Sequence, residues 1–590
     1  MKPLFHIEDN LMSKRLYRIK NYKGIERIVE LKQEDLCSLS KFKVKVESLG
    51  NYIWMAKEDH LTKLKSYLYD ETESAIEITQ LGWQRKGFYA FGNGVTLNGD
   101  WIAADEYGIV RLGEMGNYYL PGSSKIYRDD PKLFAFEHKF VHLGLNAISL
   151  HDYAAKVIDV FGDNGKVALC FLLATMFRDV IAGYNNNHFP ILNLFGPTGS
   201  GKTELGISLM SFFIIDNAPL NINNSTIPAL SDSLAQSSDA TVHIDEFKND
   251  IDRRLIEYLK AVWDGTGRSR MAMKKDEKRE TTAVDCGLIL SGQEMPTADI
   301  ALFTRLIFLT FPKNVFSVEA DRKFKELQQI RMRGLSHLTV QILRHRAKFE
   351  ADYLGIFNST MSDIKSMLSG NEIVERITQN WCMALAAYRT LSGVLDLPMT
   401  YKDMLNITVD HIIMQNKECR SNNELAGFWG VVAYLYQDGL IFKDSDFKIK
   451  YVNRFKTDTT HLMEWLQPKP VIMLRKSRVF MLYKKNGKMV GDKVLPDETL
   501  AYYLENSKEY LGLKKSVRFR NIVDGKHETV SYTDSFGQER VRGADSIDRA
   551  YCFDYEMLKQ HYNINLEVVM DSDNADEDDK DIPQTKEIDF

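Results

Sequence analysis

Residues Gly196–Thr203 read GPTGSGKT, and this octapeptide constrains the fold more tightly than anything else in the chain. Its glycines permit a turn tight enough for successive backbone N–H groups to converge, and Lys202 and Thr203 add an ammonium and a hydroxyl beside them. TELGISLMSFF, which follows, is a helical pattern. HFPILNLF (His188–Phe195), which precedes, is the continuous apolar run of a strand buried on both faces. Strand, glycine turn and helix make a polyphosphate cradle: the amides and the positive helix end face the oxygens, Lys202 reaches the β and γ phosphates, and Thr203 offers its hydroxyl to Mg2+. ATP is therefore assigned to Gly196, Pro197, Thr198, Gly199, Ser200, Gly201, Lys202, Thr203 and Glu204.

A second strand pattern, ATVHIDEF (Ala240–Phe247), ends in adjacent carboxylates. Asp245 is placed with Thr203 on the metal, and Glu246 on the attacking water as its catalytic base. The surrounding residues alternate helix and strand: a helix over Asn164–Ile181, a strand over Pro190–Phe195, a helix from Lys202, and strands near Thr241–Ile244 and Cys286–Leu290. That alternation predicts an α/β core on a parallel sheet.

Between the carboxylates and the next core strand lies WDGTGRSRMAMKKDEKRETTA (Trp263–Ala283). Its Arg268, Arg270, Lys274, Lys275, Lys278 and Arg279 alternate with small and apolar residues, as in a hairpin that tracks a DNA backbone. A solvated charged loop is the plainer alternative. In CGLILSGQEMPTADIALFTRLIFLTF (Cys286–Phe311), a strand ends at polar Ser291 and Gln293, either of them placed to sense the γ-phosphate, and a helix follows Pro296. Arg305 then precedes another apolar strand, as an arginine finger for a neighbour's nucleotide or as half of a structural ion pair. A finger acting between copies requires a homo-oligomer, read here as a ring with a hexamer as the candidate size.

This order of phosphate loop, Asp-Glu strand, basic hairpin, polar strand end and arginine resembles the superfamily 3 helicases. It is similar above all to the helicase half of phage and plasmid primase–helicases, over about Glu77–Pro312; LGWQRKGFYAFGNGV (Leu81–Val95) is similar to the Gly-Trp-bearing β region that precedes the loop there. The resemblance implies a P-loop NTPase core of the AAA+-like, superfamily 3-like type that uses ATP and Mg2+. It also implies a replication motor on single-stranded or forked DNA of a phage, plasmid or integrated element. Two departures stand out: Gln293 occupies a sensor position that is typically Asn, and neither primase zinc cysteines nor a primase acidic triad is evident. Priming would then come from a separate polypeptide. A nucleotide-driven switch or remodelling ATPase in defence or regulation is the alternative.

The 590 residues are too many for one core and are read as five regions. These are a β-rich domain (1–140), the ATPase core (141–315), a helical domain (316–445), a mixed α+β and winged-helix-like domain (446–570) and an acidic tail (571–590). In the fourth region PVIMLRKSRVFMLYKK reads as strand and PDETLAYYLENSKEYLG as helix. Apolar runs are too short and interrupted for a membrane span, and the N-terminus has acidic residues where a signal peptide needs an apolar run. The six cysteines stand far apart without a CxxC pair, which argues against a zinc ribbon or a disulfide framework and fits the cytoplasm of a bacterial host.

A net charge of −5 argues at first against nucleic acid, but nine acidic residues against two lysines lie in Asp571–Phe590, leaving the remainder near +2. The tail reads as a solubilising disordered segment; closing on Phe590, it also resembles the acidic tails of single-stranded-DNA-binding and phage replication proteins, which implies that it docks a replication partner or competes with DNA for the protein's own basic groove. Under the second reading, deleting Asp571–Phe590 tightens DNA binding at low salt. Equal affinity of the full and truncated chains in a low-salt titration rules the competition out.

Overall fold

The computed structural model describes residues 1–8, 13–70, 72–130, 132–144, 146–216, 218–249, 251–270, 280–296, 299–313, 317–371, 373–421, 424–458, 462–487, 494–507, 509–523, 526–562 and 564–567. They form two compact units, Met1–Cys419 and Arg420–Phe590.

The centre of the first unit is a five-stranded parallel sheet. Its strands run in the order Leu220–Asn221, Thr241–Phe247, Gly287–Gly292, Ile191–Phe195 and Leu306–Thr310. Ile191–Phe195 comes first in sequence yet lies fourth in the sheet, so the strand order reverses beside it. In an open α/β sheet, the crevice at the carboxyl ends of the strands at such a reversal is where ligands bind. The strand runs are apolar because both faces are covered; Leu288, Ile289, Leu290, Leu306, Ile307 and Phe308 are all buried. The fold is thus an α/β P-loop core with additional β-rich and helical parts.

One helix differs from its expected span. The apolar run from Asn164 onward belongs to a longer helix, Leu150–Thr175, which contains a non-helical residue at Gly162 (φ 57°, ψ −134°). The run then breaks, and a separate helix, Arg178–Tyr184, starts at an 81° bend. Helical periodicity continues across the bend, so the pattern alone does not reveal it. Among the described residues no single helix is long and apolar enough to cross a membrane.

Residues before the core are woven into it. Lys2–Glu8, Lys14–Lys20, Glu26–Lys32, Glu73–Glu77, Ile109–Arg111 and Asn117–Tyr119 share a six-stranded sheet, flanked by helices Leu39–Glu47 and Glu58–Asp70. Leu81–Gln84 instead begins an antiparallel run of four short strands and pairs in parallel with Ser237–Ser238, just ahead of the carboxylate strand. Gly82 sits at that seam with φ +92°, and a Cβ there would lie 1.9 Å from the Ser238 carbonyl oxygen. Next to it Arg346 lies 3.4 Å from the centre of the Trp83 ring and pairs with Asp179 and Glu350. The Asp179 N–H in turn donates to buried Asp239 at 3.0 Å.

On the far side of the core, helices Glu375–Leu391 and Tyr401–Ser421 lie under the Leu306–Thr310 strand. Buried Gln415 donates to the carbonyls of Phe303 and Leu306, both at 3.0 Å, and accepts from the Trp381 indole at 2.8 Å. One amide thus satisfies two backbone acceptors and one donor that would be costly to bury alone.

The second unit is a four-stranded antiparallel sheet in the order Phe447–Phe455, Met463–Arg475, Asp545–Asp554 and Tyr510–Arg520. The residues expected as one strand divide: Met463–Arg475 is strand, and Lys476–Asn486 is helix, burying Val479, Phe480 and Tyr483 on one face. Those three positions fit a helical stripe, and the apolar residues immediately before them mask it.

Gly82→Ala is expected to lower the stability of the first unit by ~3 kcal/mol, since both the backbone region and the space exclude a side chain. Thermal unfolding followed by circular dichroism checks this; an unchanged midpoint contradicts the seam.

Candidate nucleotide site

The loop Gly196–Gly201 joins the carboxyl end of Ile191–Phe195 to the helix Lys202–Met210. Gly199 (φ +75°) and Gly201 (φ +90°) take left-handed conformations that side chains resist, which turns the chain sharply enough to aim its amides inward. Pro197, Thr198 and Gly199 are exposed at the tip, while Ser200 and Lys202 are buried. The Lys202 ammonium folds back to donate to the carbonyls of Gly196 and Pro197, both at 2.7 Å, and to Ser200 Oγ at 3.3 Å. Burial lowers its pKa, with Asp245 and Glu246 opposing the shift. An ammonium held by neutral oxygens in a cradle of N–H groups is set to exchange them for phosphate oxygens.

Beside the loop is a cleft of about 690 Å3, bordered by Gly199–Glu204, by Asp159 and Val160 of the long helix, and by Ser317, Glu319–Asp321, Lys323 and Phe324 at the start of helix Val318–Arg331. Its volume falls within the range of ligand pockets for small molecules and cofactors. Glu204 borders it, but its carboxylate pairs with Arg331, whose Nη1 also donates to the Glu204 carbonyl at 3.1 Å. That side chain thus ties the loop helix to Val318–Arg331.

Asp245 collects three parts of the chain. Its Oδ2 accepts from Thr203 Oγ1 at 2.9 Å, and its Oδ1 accepts from Ser291 Oγ at 2.5 Å and from the Glu246 N–H at 2.8 Å. Burial pushes the Asp245 carboxyl up, but the bonds from Ser291, Glu246 and Thr203 and the nearby His243 outweigh it and leave the pKa lowered. A hydroxyl and a carboxylate side by side are hard oxygen donors, the set that suits Mg2+, so Thr203 and Asp245 fit the metal assigned to them.

Behind Asp245 stands His243, which has no exposed surface and whose Nε2 lies 2.7 Å from Ser291 Oγ. Since Ser291 spends its one proton on Asp245, His243 must donate to Ser291, which fixes Nε2–H as the tautomer. Burial lowers the imidazole pKa to about 4, consistent with a neutral ring. Sequence reading passed over His243, although a polar residue inside the buried run ATVHIDEF was the available signal. Glu246 has φ +66°, uncommon for a residue with a side chain, and Asn223 Nδ2 donates to its carbonyl at 3.0 Å.

Other candidates lie elsewhere. Gln293 is exposed just past Gly292, whose carbonyl accepts from the Gly196 N–H at 3.3 Å; it is Ser291 that bonds to Asp245. Arg305 starts the outer strand, where Leu306 aligns with Ile191, while the phosphate loop leaves from Phe195 opposite Thr310. It is therefore set back from Thr310 by about 16 Å of strand, at roughly 3.3 Å per residue. Arg305 forms no ion pair among the described residues. Its guanidinium lies 5.0 Å from the centre of the Trp263 ring and donates to the Ala301 carbonyl at 2.7 Å. Burial and then the neighbouring Arg376 charge lower its pKa. Strands Thr266–Arg270 and Glu280–Ala283 pair antiparallel as a hairpin; Arg268 and Arg270 lie on the first, and Lys274, Lys275, Lys278 and Arg279 lie outside the described residues, as does the tail 571–590.

No protein-family model and no curated protein matches the chain. Among solved structures, one described as the active helicase Cch of SCCmec type IV superposes with a TM-score of 0.52 at 11% identity, covering 82% of this chain and 86% of that one. The fold is helicase-like. The apo C-terminal region of NrS-1 (TM-score 0.25, 9% identity, 68% of this chain and 92% of that one) and the JCV helicase (0.18, 17%, 37% and 70%) superpose too loosely to bear on the fold.

Replacing Ser291 by Ala strips Asp245 of a donor and leaves the His243 N–H buried without an acceptor, which should cost ~1–3 kcal/mol of stability. Urea denaturation measures it; a loss below ~0.5 kcal/mol would mean that the chain of bonds is not formed in solution.

Proposed function

We propose that the chain is an ATP-dependent DNA helicase or translocase of the superfamily 3 type. It would act as a ring of identical copies in replication of a phage, plasmid or integrated element within the bacterial cytoplasm. The observation that carries this reading is the convergence of Thr203, Asp245 and Ser291 beside a glycine loop, at the strand-order reversal of the core sheet, with a two-stranded hairpin inserted between two of its strands in sequence. The helicase-like fold supports it.

In this reading the backbone of Gly196–Gly201 and the Lys202 ammonium hold the triphosphate, and Thr203 and Asp245 hold Mg2+, which supplies charge neutralisation at the phosphate oxygens. Glu246 orients and deprotonates the attacking water, and Gln293, the residue after Gly292, senses the terminal phosphate. Arg305 serves the nucleotide of a neighbouring copy, because its own lies at the other end of the strand. Residues 141–315 do the motor work. Arg268 and Arg270 with Lys274, Lys275, Lys278 and Arg279 grip one DNA strand, and the acidic tail engages a separate primase or another replication partner.

ATP turnover with and without single-stranded DNA tests the reading. DNA is expected to stimulate the wild type at least about tenfold, Lys202→Ala to abolish turnover, and the Lys274→Ala/Lys275→Ala double variant to abolish stimulation alone. Turnover indifferent to DNA in an active preparation would instead favour a switch or remodelling ATPase.

A further inference from the structure

Two cations at the amino-terminal end of the core sheet form no ion pair among the described residues. Arg305 and Arg376 place their guanidinium groups against the same indole, 5.0 and 5.1 Å from the centre of the Trp263 ring. The arrangement is braced from several sides. Asn380, one turn along the helix from Arg376, accepts from Trp263 Nε1 at 3.0 Å and donates to the Thr304 carbonyl at 3.0 Å. Arg376 Nη1 donates to Thr304 Oγ1 at 3.1 Å, and His188 stacks on Trp263 at 3.9 Å between ring centres.

Neither arginine is in an ion pair among the described residues, and Arg305 Nε is buried without an acceptor. Of the acids nearby, Glu257 and Asp299 pair with Lys260 at 2.8 and 3.0 Å, and Asp264 lies 3.4 Å from His188 and acts on Arg305 only from a distance. Like charges held together at a partly buried edge repel, and an anion bridging them removes the repulsion while gaining charge-assisted hydrogen bonds. A guanidinium lying on an aromatic face still presents N–H groups at its edge, the geometry that suits phosphate.

We propose that Arg305 and Arg376, set on the Trp263 face, form a two-arginine site for the phosphate tail of a nucleotide bound by a second copy of this chain. The chain's own nucleotide is excluded by the strand that separates the two ends of the sheet. This inference rests on the ATPase reading of the loop and adds Arg376 as a phosphate ligand, with Trp263 and Asn380 as positioning residues. Because Trp263 directly precedes the hairpin, the same indole joins the anion site to the proposed DNA grip.

The test uses full-length variants with single-stranded DNA present. Arg376→Ala is expected to keep its affinity for a fluorescent ATP analogue within about twofold and to lose about a hundredfold in turnover. Arg376→Lys, which keeps the charge but not the fork, should fall between. Mixing Arg376→Ala with Lys202→Ala, whose loop is disabled but whose arginines are intact, should restore turnover that neither has alone. Wild-type turnover by Arg376→Ala, or no recovery on mixing, overturns the proposal. Weaker DNA binding with a salt slope reduced by about one and no recovery on mixing would assign the anion to DNA phosphate, and also overturns it. If the wild type itself does not turn over ATP, the ATPase reading fails and sedimentation with ATPγS decides. Assembly of the wild type that Arg376→Ala loses supports the site, and identical behaviour of the two refutes it.

Discussion

A single carboxylate holds the core together. Asp245 receives hydrogen bonds from Thr203, from the Glu246 amide and from Ser291, so three segments far apart in sequence meet on two oxygen atoms. Each bond is a modest net gain in folding, but a half-buried carboxylate without its donors would be costly, and that asymmetry makes the meeting point specific. His243 extends the constraint one step further by fixing which way the Ser291 proton points. These polar groups therefore also hold the sheet in register at the carboxyl ends of its strands.

The opposite end of the sheet is organised by a different interaction. Trp263, Arg305, Arg376 and Asn380 form a braced aromatic and cationic cluster rather than a hydrogen-bonded acidic one. One end thus gathers a carboxylate and hydroxyls, while the other holds two guanidinium groups that form no ion pair among the described residues. In a sheet of parallel strands these ends face opposite ways. Copies stacked head to tail would bring one against the other, as heterologous interfaces that close into rings require.

Much of the site was legible because its chemistry is local in sequence. GPTGSGKT needs only its own residues to turn the chain, and HFPILNLF before it is a core strand by composition alone; both lie where expected. The carboxylate strand was equally plain. Contacts between distant segments were not legible. Nothing near Arg305 says that Trp263 and Arg376 will meet it, and nothing near His243 names Ser291 as its acceptor. The break after Thr175 and the change from strand to helix at Lys476 were hidden for a related reason: apolar residues continue through both, and neighbours elsewhere in the fold decide where each element stops.

The seam at Gly82 has a mechanical consequence. Leu81–Gln84 is hydrogen-bonded to Ser237–Ser238, and Arg346 clamps the Trp83 ring next to it, with no side chain between the two backbones to deform. After that strand the chain bends at Asp239 (φ +51°), fully buried, and runs on through the next strand to Asp245. Force applied to the β-rich part would reach the Asp245 carboxylate through this short buried bend. The amino-terminal region is thereby a lever on Asp245 and the segments that meet it.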